Sequence, residues 1–252
     1  MKIIRRILLV VCLAVFLYSA GNLANIGYKY HKVNSDNKKL QEEVVTEVKQ
    51  DSPLDRKVDF NQLKSINEDI VGWIYITNTN IDYALLKGKT NDTYIHTNYE
   101  KKYSFAGSIF LDEDNNSSLT DSNTIIYGHN MKNGSMFANI KKFTDQDYFN
   151  NHPEVYIYLP DGSINVYSIY STKIIDATSD YYLKDIDYAS YVANAKSSAK
   201  QSRDVDTQNT APLLLLSTCY APDTTTRSVL FARLEKLSLI HISEPTRPLY
   251  IS

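Results

Sequence analysis

The stretch from Leu213 to Arg233, LLLLSTCYAPDTTTRSVLFAR, restricts the fold of this chain more than any other. Four leucines lead through Ser217 and Thr218 to Cys219, an apolar run of strand length, and Ala221-Pro222-Asp223 supplies the punctuation that ends it. A second β-rich run, Ser228–Arg233, follows the polar loop. Cys219 therefore stands at the mouth of a sheet, and Arg227 returns to the same end. Paired as antiparallel neighbours, the two strands bring thiol and guanidinium close together.

Cys12 is the only other cysteine, and it lies in the N-terminal apolar segment, which argues against a structural disulfide. A lone cysteine is most often a small buried hydrophobe. Here the strand end, the polar loop and a matching histidine point instead to a reactive thiol. That histidine is His129, in Asn123–Met131 (NTIIYGHNM), where another short β-rich run stops at a glycine. A thiol of ordinary pKa is only a few per cent thiolate at neutral pH, so cysteine chemistry needs such a partner. The other histidines are weaker candidates. His31 lies in a charged juxtamembrane stretch, His96 among loop residues, His152 before Pro153, and His241 in the C-terminal tail.

With cysteine, histidine and arginine placed, the chain resembles the sortases, cysteine transpeptidases that attach proteins to Gram-positive cell walls. The resemblance runs from about Phe60 to Leu234 and is strongest in Tyr127–Met131 and in Leu216-Ser217-Thr218-Cys219 with Arg227 eight residues on. It is most similar to class B, through Val71-Gly72-Trp73-Ile74 leading to Ile81-Asp82-Tyr83, through Gly134-Ser135-Met136-Phe137, and through a helical insertion before the cysteine strand. Leu215 stands where threonine is expected in a TLSTC-like motif, and Ala84 where proline is common. Neither departure touches a reacting group.

The rest of the chain fits around that centre. Its 252 residues, 43% of them hydrophobic, suffice for one domain with appendages, and a net charge of −2 gives no reason for a nucleic-acid partner. Residues 1–27 combine Lys2, Arg5 and Arg6 with an apolar run that reaches the length a bilayer requires. A cleaved signal peptide has the same pattern, but the resemblance implies a retained anchor. The basic start then keeps the N-terminus cytoplasmic and the catalytic domain extracellular. Residues 28–58 read as a charged helical stalk and linker, helix-prone to about Asp51 and broken at Ser52-Pro53. A helix capped by Asp59 opens the main domain, residues 59–237, with Phe60, Leu63, Ile66 and Ile70 at helical spacing. Short strands follow at Trp73–Thr77, Ile81–Leu86, Gly107–Leu111 and Thr124–Gly128. Leu159-Pro160-Asp161-Gly162 then turns Val155–Leu159 into a long strand from Ser163 to about Ile175. With the two strands around Cys219 there are about eight, a mainly β architecture, and the resemblance selects a closed eight-stranded barrel with a few peripheral helices. Helical patches are predicted at 135–149 and 187–202. Asp112–Asn116 imitates the start of a calcium loop, but Ser117 replaces the needed glycine, so it reads as a solvated turn. No metal site and no cofactor are expected. The segment 238–252, with two prolines and no continuing pattern, reads as a non-native tail beyond a last strand that ends near Leu234.

The resemblance implies a two-step acyl transfer. Cys219 attacks the threonine carbonyl of a sorting motif, His129 moves the protons, and Arg227 holds the oxyanion or the substrate backbone. Ser217 and Thr218 are expected to touch substrate or orient the site, and Asn130 to touch substrate or cap the turn after the histidine. The implied partners are surface proteins bearing a sorting signal, of the NPQTN or (S/P)PxTG kind in class B, and an amine from a peptidoglycan cross-bridge or lipid-linked precursor. Two rivals remain: a cysteine hydrolase using the same pair with water as acceptor, and a non-catalytic surface binding module.

Overall fold

The computed structural model describes residues 2–47, 52–206, 210–220 and 225–239. The chain divides into two compact units, Met1–Leu40 and Gln41–Ser252. The first lies within helix α1 (Lys2–Val44), which is long and apolar enough to cross a membrane. Apolar side chains near its start, Leu13, Phe16 and Leu17 among them, are exposed.

The helix expected to reach about Asp51 is shorter. The helix stops at Val44, where β1 (Val45–Glu47) begins, and β1 pairs antiparallel with β2 (Arg56–Val58). Val44, Val45 and Thr46 are β-branched and stiff at χ1, which favours the extended backbone. The expected break falls on a 3₁₀ turn at Pro53–Asp55, while residues 48–51 lie outside the described residues.

Helix α2 (Phe60–Ile66) is capped as expected, with the Asp59 side chain accepting from the Gln62 amide at 2.9 Å. Ile70, placed on that helix by spacing, instead opens β3 (Ile70–Tyr75). Then come β4 (Asp82–Lys87), β5 (Ile109–Leu111), β6 (Asn123–Tyr127), a 3₁₀ segment at Ala138–Thr144, α3 (Gln146–Asn151), β7 (Glu154–Tyr158) and β8 (Ser163–Asp176). Helix α4 (Tyr188–Lys196) is shorter than expected because Gln201–Ser202 forms β9, a two-residue edge strand on β8. Last are β10 (Leu213–Cys219) and β11 (Thr226–Leu239). β11 runs past Leu234 because its backbone stays paired with β8 as far as Leu239 opposite Ser163. Residues 240–252 lie outside the described residues.

The sheet order is β11-β10-β6-β5-β4-β3-β7-β8-β9, and β11 also pairs with β8. That pairing closes an eight-stranded barrel with β9 outside the ring and removes the exposed edges of an open sheet. β10 lies between antiparallel β11 and parallel β6. One of its faces, with Leu213 and Leu215, packs under Tyr191, Val192 and Ala195 of α4. Side chains alternate along a strand, so Leu214 and Leu216 take the other face, where both are buried. Burial on both faces explains the uninterrupted leucine run.

A polar knot ties the start of the second unit to the barrel. Asp82 accepts from Trp73 Nε1, Arg56 Nη2 and Gln41 Nε2, each at 2.5 Å. Arg56 is 1% exposed and its guanidinium lies 4.2 Å from the centre of the Tyr75 ring. Neutralisation by Asp82 and cover by an aromatic face are the conditions under which a buried cation is tolerated.

Candidate active site

The register of β10 places the key side chains. Across β11, Cys219 is the pairing partner of Arg227, the last pair at this end of the two strands. Across β6, the parallel register runs from Leu213 opposite Asn123 to Ser217 opposite Tyr127. The Gly128 amide then donates to the Ser217 carbonyl at 3.2 Å, carrying the ladder one residue further. The same offset brings His129 level with Cys219. Gly128 leaves no room for a side chain, since a Cβ there would lie 2.4 Å from Ile109 Cδ1 and 2.8 Å from Phe137 Cγ.

Cys219 is a free, half-buried cysteine. It shares a cleft of about 230 Å³ with His129, Arg227, Ser217 and Thr218, and with Asn91, Ile95, Phe110, Tyr127, Ala177 and Tyr182. Five of the six residues named by sequence thus line one cleft, and the sixth, Asn130, is not among its lining residues. Asn130 donates from Nδ2 to the Cys219 carbonyl at 2.9 Å, so it holds the backbone of the cysteine. Ser217 Oγ and Tyr182 OH are 2.8 Å apart. Thr218 is 2% exposed and its hydroxyl has no hydrogen-bond partner among the described residues.

His129 Nε2 lies 2.8 Å from the Ile95 carbonyl oxygen. A carbonyl can only accept, so Nε2 carries the proton and Nδ1 is left as the basic nitrogen of the neutral ring. Burial lowers the His129 pKa below the ordinary histidine range. The Ile95 hydrogen bond opposes that shift and the charge of His96 adds to it. The His96 ring is stacked on His129, 5.6 Å between centres and 16° between planes. Burial and the charge of His96 both favour the neutral ring. Burial, followed by the neighbouring Asp112 carboxylate, pushes the Tyr127 phenol up, so it stays a protonated donor.

Several of these residues escaped sequence reasoning. Asn91 and Ile95 lie in a long loop after β4 with no motif of their own, and Tyr182 in a 3₁₀ turn. The reading of Asp112–Asn116 as a solvated turn holds for Glu113 and Asp114, which are exposed, and is corrected for Asp112 and Asn115, 7% and 2% exposed. Asn115 Nδ2 donates to Asp121 and to the Asn123 carbonyl, and its Oδ1 accepts from the Ile125 amide. The available signal was position, because Asp112 directly follows the apolar strand Ile109–Leu111. No group of three or more His, Cys, Asp or Glu among the described residues could hold a metal ion.

A thiol, an imidazole and a guanidinium gathered at one rim of a closed barrel are the equipment of a cysteine enzyme. A sortase domain profile matches residues 74–235, and the chain is 34% identical over 225 residues to a sortase B of Listeria monocytogenes, covering 84% of this chain and 88% of that one. The chain belongs to the sortase family and is a class B sortase enzyme. Among solved structures it resembles Clostridium perfringens sortase B (TM-score 0.64, 35% identity, 70% of this chain and 99% of that chain). It also resembles a Staphylococcus aureus sortase B–substrate complex (TM-score 0.70, 26% identity, 83% and 99%).

Proposed function

We propose that this sortase is a membrane-anchored transpeptidase whose nucleophile is Cys219. What supports this reading is that Cys219 and Arg227 pair across β10 and β11, that His129 follows the end of β6 beside them, and that all three line one cleft. In the first step the Cys219 sulfur attacks the threonine carbonyl of a sorting motif, and its proton passes to His129 Nδ1. The carbonyl oxygen gains the charge, which the fixed, forked donors of Arg227 are suited to hold. When the tetrahedral species collapses, the peptide C–N bond breaks and the imidazolium gives its proton to the departing amine. That leaves a Cys219 thioester and a neutral imidazole. In the second step an amine of a cell-wall precursor or cross-bridge attacks the thioester and gives its proton to His129. A new amide bond forms, the C–S bond breaks and the thiol is regenerated. No cofactor is required.

The substrates are surface proteins with a C-terminal sorting signal, and the reading draws on the staphylococcal relative solved with a substrate. Helix α1 serves as the anchor. Lys2, Arg5 and Arg6 hold its start in the cytoplasm, so the barrel lies on the extracellular side. The test uses the full chain in detergent micelles with NPQTN and (S/P)PxTG peptides, with and without triglycine, followed by mass spectrometry. Cleavage after threonine, triglycine-linked product and loss of both in Cys219→Ala are expected. Cleavage that yields only free acid in saturating triglycine overturns transpeptidation in favour of hydrolysis. A Cys219→Ala protein that still cleaves overturns the assigned nucleophile.

A further inference from the structure

Behind the cleft wall lies a carboxylate that the mechanism does not use. Asp112, the residue after β5, is more than nine-tenths buried and does not itself line the cleft. Its Oδ2 accepts from Tyr127 OH at 2.9 Å and from Asn91 Nδ2 at 3.0 Å, while Oδ1 accepts from the Asp114 amide at 2.9 Å. Tyr127 and Asn91 do line the cleft, from the end of β6 and from the loop after β4. One carboxylate oxygen thus gathers a phenol and an amide from two separate segments.

We propose that Asp112 is a positioning residue: it fixes Tyr127 and Asn91 in the polarity that receives the backbone of an extended sorting peptide. This rests on the transpeptidase reading above. A carboxylate only accepts, so it forces Tyr127 to donate its single proton backward and leaves the phenol oxygen as an acceptor for the cleft. It also takes one of the two Asn91 N–H groups. Asn91 Oδ1 is committed as well, accepting from the Glu113 amide at 2.9 Å, which sets the amide's sense. The second N–H of Asn91 is then a donor of defined direction. One acceptor and one donor held on cleft walls match the N–H and C=O of a peptide in extended conformation. Asn91 also shares its loop with Ile95, the partner of His129, so the carboxylate steadies the segment that carries that carbonyl.

The test compares wild type with Asp112→Asn, Asp112→Ala, Tyr127→Phe and the Asp112→Asn/Tyr127→Phe double variant, as full chains in detergent. It reads KM and kcat for a quenched fluorescent peptide bearing NPQTN or (S/P)PxTG, whichever wild type cleaves, together with Cys219 alkylation by iodoacetamide and the melting temperature. Asp112→Ala is expected to raise KM about tenfold or more, the effect of releasing one or two buried hydrogen bonds, with alkylation within about twofold of wild type. Asp112→Asn raises KM too, and the double variant is no worse than Asp112→Asn alone because both substitutions break one link. The idea is overturned if KM in Asp112→Asn stays within about twofold of wild type. It is equally overturned if activity falls only in proportion to the folded fraction, or if the two substitutions add independently. KM reports the acylation half, which hydrolysis and transpeptidation share. A wild type that makes no triglycine product therefore sinks the transpeptidase reading while leaving this comparison decisive.

Discussion

Two arginines on one barrel are handled in opposite ways. Arg56 is 1% exposed, paired with Asp82 at 2.5 Å and covered by Tyr75. Arg227 is half-buried, lines the cleft, and is the strand partner of Cys219. The first charge is matched inside the protein and fastens the start of the unit to the barrel. The second faces the cleft and, in the proposed mechanism, meets the substrate oxygen that gains charge. An arginine's identity reveals little; burial under an aromatic ring or exposure to a cleft separates the two.

Exchanging the two sites' phenotypes would break the contrast. Arg227→Ala is expected to lower kcat/KM by about 10²–10³-fold, the usual cost of one oxyanion donor, while the melting temperature stays near wild type. Arg227→Lys should recover only part, because a point charge lacks the planar fork. Peptide-cleavage kinetics beside a thermal melt checks both. Arg56→Ala should do the reverse. Removing one member of a buried pair strands Asp82, at a cost of about 3–5 kcal/mol by denaturant titration, with kcat of the remaining folded enzyme unchanged. Arg56→Met, which keeps the volume but strands Asp82 as well, should lie on the same side. If Arg56→Ala abolished turnover in protein that is still folded, the two sites would not be separate.

A finer test concerns the support of His129. Gly107 has φ +56°, and a Cβ there would lie 2.2 Å from the Ile95 oxygen that holds the imidazole. Gly107→Ala therefore strains the backbone by about 1–2 kcal/mol and displaces that carbonyl. The expected outcome is a modest loss of stability with a larger loss of kcat, read from matched melts and kinetics. A loss of stability alone would show that Ile95 does not orient the ring.

Legibility in the sequence divides along the same line. The leucine run, the placement of Cys219 and Arg227, and the Gly128-His129 terminus were readable because strand pairing carries local order into space almost unchanged. Ring closure was supplied by the sortase resemblance and is realised by the β8–β11 pairing. What was hidden depends on contacts between distant segments. Asp112 looked like a solvated acid because no local pattern announces that Tyr127 and Asn91 will converge on it. Likewise Ile70 had helical spacing, but pairing with Leu86 drew it into β3. His96 was set aside as a loop residue, although the fold stacks it on His129.

That stacking yields the smallest effect. Burial and the charge of His96 both hold the His129 pKa below its ordinary value of 6.5. A histidine depressed in the folded state adds stability that is fully present above the unfolded pKa and is lost as pH falls through that value toward the folded one. In the proposed mechanism His129 acts as the base and must be neutral, so the acid limb of kcat/KM should lie below 6.5. His96→Ala removes one of the two lowering influences, and the acid limb should move upward by a fraction of a pH unit. Burial, the larger influence, remains and keeps the limb below the free-histidine value. A pH–rate profile of the variant against wild type decides the matter. A limb that shifts downward would mean that His96 donates or shields more than it repels, and an unmoved limb would mean that solvent screens the exposed ring.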